Sequence, residues 1–247
     1  GDYKDFIFIK YKLMNYSSDT LMDCWAASVM DMDIANSLNA RQGAANDRVT
    51  FYFPDESLDL AVQWTNTDFG EQGQGFGYIG MDFLESPAVN EDGFIRKDKK
   101  FYPNEEQLGL KTSFNWPIEE DINEDERRYN TMASGEKMGD AGPGDRRFMM
   151  STGPFNMRPA QNADDPENII PGDTIDIVVG IILASPIKGK DADGSWEDMS
   201  ELVRKDKFAQ RVYDNNFLAP EPPWRARFEA ADIDDLPVRH GPFGIFR

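Results

Sequence analysis

Ile175-Asp-Ile-Val-Val-Gly-Ile-Ile-Leu-Ala184 is the stretch on which the fold turns. Ile175, Ile177, Val179, Ile181 and Leu183 fall on one side of an extended chain, while Val178 and Ile182 keep much of the other side apolar. A strand greasy on both faces belongs at the centre of a sheet that is covered twice. Outward from it, Asp5 to Met14 alternates as a second strand, with Ile7, Ile9, Tyr11 and Leu13 on one face and Phe6, Phe8, Lys10 and Lys12 on the other. Asn15 to Thr20 is a turn cluster, and Leu21 to Met30 reads as the returning strand of a hairpin. Further strands are expected over 49–53, 60–66, 76–84, 110–116 and 146–151.

Two helices are expected. Glu119 to Met132 is acidic at its start but thin in apolar residues. Glu197 to Asn216 carries a broad apolar face built from Met199, Leu202, Val203, Phe208, Ala209, Val212 and Tyr213, with Ser195 placed to cap it. Helices between successive strands, which a parallel sheet requires, are missing. The pattern therefore predicts a mainly β protein, an antiparallel β-sandwich with long irregular loops and one C-terminal α-helix. One domain spans 1–218, including the late helix at 197–216; the Pro-rich 219–247 reads as a linker or tail.

Composition limits the chemistry. The 247 residues hold 45 acidic against 26 basic side chains, a formal net charge of −19. Such a chain suits neither a nucleic-acid backbone nor an anionic membrane. The apolar run from Ile177 to Ile187 is far shorter than the roughly 20 residues a membrane helix needs. With one cysteine, Cys24, and one histidine, His240, neither an intrachain disulfide nor a Cys/His zinc site can form. Catalysis by Ser-His-Asp or Cys-His groups is equally poorly supplied, so the reading leans away from an enzyme.

The candidate site is acidic. Asp31 and Asp33 stand two residues apart at a strand end, with Asn36 and Asp47 in the loop beyond. Hard oxygen donors at alternate positions are what calcium takes, six to eight of them at about 2.3–2.6 Å. Asp31, Asp33, Asn36 and Asp47 are thus the expected metal ligands, with calcium as the ion and no other cofactor. Asp191 to Asp198 looks superficially like a second calcium loop, but its Gly194 is misplaced and Leu202 stands where the bidentate Glu belongs. The glycine-rich 70–77 lacks the partners of a phosphate loop. Trp196 and Trp224 are free enough to stack on sugar, whereas Trp25 and Trp64 read as core.

The hairpin Asp5-Phe-Ile-Phe-Ile-Lys-Tyr-Lys with Asp31-Met-Asp33-Ile34 resembles the start of a region in large secreted proteins of Bacteroidota and related phyla. So do Ile79 to Pro87, Thr112 to Phe114 with Tyr129-Asn130 and Gly135, Asp145 to Phe155, Pro171-Gly-Asp173, and Phe208-Ala-Gln with Tyr213 to Phe217. The likeness runs in order through most of residues 5–223. Where the family pattern reads Asp-Pro-Asp-Ile-Gly, this chain has Met32 and Ala35. The resemblance implies an address and an architecture rather than a reaction. In that family a signal peptide lies upstream, and fibronectin-like modules and a type IX secretion sorting domain lie downstream. No basic start followed by an apolar stretch precedes the first strand, so no signal peptide is read, and the chain is expected to be cut from something longer.

The expected role is a non-enzymatic module of a secreted or cell-surface protein, serving assembly, adhesion or surface coating. Its partners would be other protein chains or other segments of its parent polypeptide. The alternatives are a carboxylate-based polysaccharide hydrolase, since 45 acids guarantee some opposed pairs, and a calcium-dependent carbohydrate-binding module.

Overall fold

The computed structural model describes residues 4–34, 44–65, 77–184, 198–216, 240–241 and 244–245. Eight strands form two antiparallel sheets. Sheet A has the order β1-β8-β5-β4-β3, built from β1 (Phe6–Met14), β8 (Thr174–Ala184), β5 (Tyr78–Glu85), β4 (Leu60–Thr65) and β3 (Asp47–Phe51). Sheet B has the order β2-β7-β6, from β2 (Leu21–Asp31), β7 (Arg146–Met157) and β6 (Thr112–Pro117). Two short strands, β9 (His240–Gly241) and β10 (Gly244–Ile245), pair with each other. The mainly β architecture is as the sequence predicts.

β8 is covered on both faces. Ile175, Ile177 and Val179 enter the core between the sheets with Met81, Phe148, Met150 and Phe155. Val178 and Ile182 point the other way, under the helix α2 (Ser200–Asp214). Each such side chain, fully buried, contributes about 1.5–3 kcal/mol. Helix α2 presents Leu202, Ala209, Val212 and Tyr213 to the sheet. The cap expected from Ser195 lies outside the described residues; Asp198 Oδ1 accepts the Ser200 N–H at 3.0 Å instead.

Two expectations need correction. β1 and β2 do not form a hairpin: β1 pairs with β8 in unbroken register from Phe6↔Ile182 to Met14↔Thr174, and β2 pairs with β7. Residues 15–20 are an arch that carries the chain from one sheet to the other. The expected helix over 119–132 is confined to α1 (Asp125–Met132). Ahead of it Ile118–Glu120 makes one 3-10 turn, which ends at Asp121, whose Oδ1 accepts hydrogen bonds from Trp116 Nε1 at 3.2 Å and from Ile122 N at 3.1 Å.

The arch is locked by polar groups. Asn15 is buried, and its Nδ2 donates to the carbonyls of Asp19, Met157 and Arg158 while its Oδ1 accepts from Ser17. Beside it, Asp173 is fully buried, accepts the Arg158 N–H at 2.8 Å and pairs with Lys97 at 2.7 Å. The Asp173 carbonyl in turn accepts the Asn15 N–H. One knot thus joins the ends of β1 and β7 to the start of β8. Gly172 is obligatory here, because a Cβ would overlap the carbonyl oxygens of Arg158 and Pro159.

Sheet A is wider than sheet B, and β1 overhangs. Its inward-side residues Ile7, Ile9, Tyr11 and Leu13 remain 37–59% exposed. Asp173→Ala leaves the Lys97 and Arg158 side chains and the Arg158 N–H without their acceptor. Urea denaturation is expected to show a loss of about 3–5 kcal/mol; a loss under about 1 kcal/mol would remove the knot from the account.

Candidate metal centre

The strand pairing builds the site. β2 and β7 run antiparallel with Asp31 opposite Arg147. Two steps further in the same register, Asp33 falls opposite Asp145, the residue just before β7. Carboxylate oxygens of Asp31, Asp33 and Asp145 accordingly lie within 4.8 Å of one another. Arg147 takes one oxygen of this group, with Nε 2.8 Å from Asp31 Oδ2, and its Nη1 reaches Asp121 Oδ2 at 2.8 Å. One guanidinium does not neutralise the group. Asp145 has its carboxyl pushed up, first by burial and then by the charges of Asp33, Asp31 and Glu119.

Asp47 lies beneath. It is 1% exposed, and it opens β3 of sheet A instead of sitting in the loop the sequence suggests. Its Oδ2 accepts the Ile34 N–H at 3.1 Å, next to Asp33. Its carbonyl accepts the Gly144 N–H at 2.9 Å, next to Asp145. Asp47 is therefore held between the two segments that carry the three acids, by its carboxyl on one side and its carbonyl on the other. Burial lifts its pKa to about 7, against the lowering effect of the Ile34 and Gln63 hydrogen bonds, and Asp33 and Asp145 add to the rise.

Gln63, also buried, donates Nε2 to the Met32 carbonyl at 2.6 Å and to Asp47 Oδ2 at 3.1 Å. Asp47 Oδ1 and Gln63 Oε1 have no hydrogen-bond partner among the described residues. Orphaned buried oxygens are uncommon and costly. Here two occur beside three converging carboxylates, an all-oxygen donor set that suits a hard divalent cation better than zinc.

Of the expected ligands, Asp31 and Asp33 come together and Asp47 supports them from below, while Asn36 lies outside the described residues. Asp145 was not anticipated from the sequence. Its signal is the β2–β7 register, which periodicity alone does not reveal. The segments 191–197 and 70–75, with Trp196 and Trp224, also lie outside the described residues.

A second acidic group lies on the far face of sheet A. Asp82 of β5 and Asp206 of α2 face each other, with Asp59 close enough to act on both. They border a cavity of about 680 Å³ that Ser57, Asn104, Gln107 and Gln210 also line. Burial is the largest cause raising both carboxyls, Asp206 to about 7.

No family model, curated protein or solved structure matches the chain. No helix among the described residues is long and apolar enough to cross a membrane. Gln63→Leu keeps the volume but strips Met32 and Asp47 of their donor. It is expected to lower stability in urea by about 2–3 kcal/mol, and a neutral result would remove Gln63 from the site's scaffold.

Proposed function

We propose that this chain is a non-enzymatic β-sandwich module of a secreted or cell-surface protein, braced by a calcium ion and acting in extracellular assembly, adhesion or surface coating. The observation that carries it is the convergence of Asp31, Asp33 and Asp145 over the buried, half-unpartnered carboxyl of Asp47. A cation there would join the end of β2, the approach to β7 and the start of β3. Those elements belong to different sheets, so one ion would brace the sandwich at that end.

The calcium reading fits an exported location. Partly exposed carboxylate sites of this kind bind weakly, and extracellular modules work with Kd values of about 10⁻⁴–10⁻³ M. The uncovered apolar face of β1 supports a role among other segments, since isolated proteins usually shield such an edge. Against hydrolysis stands the burial of Asp82 and Asp206, 3% and 1% exposed.

The test is thermal unfolding in chelator and in calcium. With calcium about a hundredfold above its Kd, the melting temperature is expected to rise by about 5–10 °C. Asp145→Asn and Asp33→Asn should each abolish most of that rise. A melting temperature indifferent to calcium, or an equal rise in both variants, would overturn the proposal.

A further inference from the structure

Helix α2 is fixed to sheet A by more than apolar contact. Lys205 is buried, donating to the Leu183 carbonyl at 3.1 Å and pairing with Asp5 at 2.9 Å. Gln210 Nε2 donates to the Leu84 carbonyl at 3.2 Å, and the Tyr213 hydroxyl donates to Glu85. In the middle of this seam stand Asp82, 3% exposed, and Asp206, 1% exposed. Two buried carboxyls that face each other with no ion-paired cation can stay together by sharing a proton, because ionised carboxylates only accept and repel. No Lys or Arg forms an ion pair with either one among the described residues.

The groups facing the pair settle which charge is tolerated there. From the segment before β4 come Asp55 and Asp59, from the 104–110 loop Glu105, and from α2 Lys207 and Arg211. Lys207 is drawn to Asp55 at 3.4 Å. Asp59 accepts the Leu110 N–H at 2.9 Å, and burial raises its carboxyl against the lowering pull of that hydrogen bond and of Lys137 and Lys111. The surroundings therefore add more negative than positive charge. The β5 residue that follows on the same side, Leu84, is apolar and fully buried, so water has no approach from there.

We propose that Asp82 and Asp206 form a proton-sharing clasp that seats α2 on sheet A and loosens the helix when the shared proton leaves. The device stands apart from the Asp31 site and does not depend on calcium. Its sign follows from linkage. The folded pair holds its proton where the unfolded carboxyls, near their ordinary values, have lost theirs. Stability is thus complete in acid and falls as the pH rises from about 4 through about 7 and beyond, by up to about tenfold in the folding equilibrium constant per pH unit for each proton released.

Unfolding of the whole chain in chelator, followed between about pH 5 and about pH 8, tests it. The wild type is expected to lose stability across this range. Asp82→Asn keeps a hydrogen-bond donor without a charge, so it should flatten the loss and exceed the wild type at the alkaline end. Asp206→Asn is read in the same way should the first variant not fold. If neither folds, the infrared carbonyl band of a protonated carboxylic acid in the wild type reads the proton itself. Loss of stability in Asp82→Asn as steep as in the wild type, absence of that band near neutrality, or a requirement for a divalent cation at this pair would overturn the clasp.

Discussion

Strand β8 is apolar on both faces, and the chain must therefore cover it twice. One cover is sheet B, which closes over Ile175, Ile177 and Val179; the other is α2, which closes over Val178 and Ile182. Every remaining feature is placed by that demand. Sheet B has to be reached by the arch at Asn15, and α2 has to be laid back across β5 and β8. The knot at Asp173 holds the start of β8 where both covers can meet it.

Buried acids are the recurring cost of this arrangement in so acidic a chain, and the structure handles them in three ways. Asp173 is neutralised by cations of its own chain, Lys97 and Arg158. Asp82 and Asp206 face each other with no ion-paired cation among the described residues. Asp47 has backbone and amide donors for one oxygen only, and the acids above it repel its charge. Those differences follow from neighbours: Asp173 sits among the basic residues at a strand end, Asp82 faces a single acid on the covering helix, and Asp47 lies under several carboxylates. The proposals for an ion at one place and a proton at another rest on that contrast.

The strands were legible because alternation writes itself into the sequence. The partner of β1 was not. Its alternating residues define two faces but say nothing of which edge the strand will join, and the turn residues at 15–20 serve an arch as readily as a hairpin. Asp31 and Asp33 stood out as neighbours in sequence, whereas Asp145 is far along the chain and reaches them only through the β2–β7 register. Asp47 looked like a loop residue because an acid rarely opens a buried strand. Asp82 and Asp206 were invisible for a similar reason: each lies in an ordinary-looking strand or helix, and only packing makes them face each other.

The pairing of β1 with β8 has a bearing on the order of events during folding. Strand β1 lacks its β8 neighbour until residues 174–184 have followed it, more than a hundred residues later. Contacts so distant along a chain slow the search for the native state, and an unsatisfied sticky strand must wait throughout it. In that interval Lys10 and Lys12, which in the finished sheet settle on Asp176, are the charges that keep the waiting segment from binding its own kind.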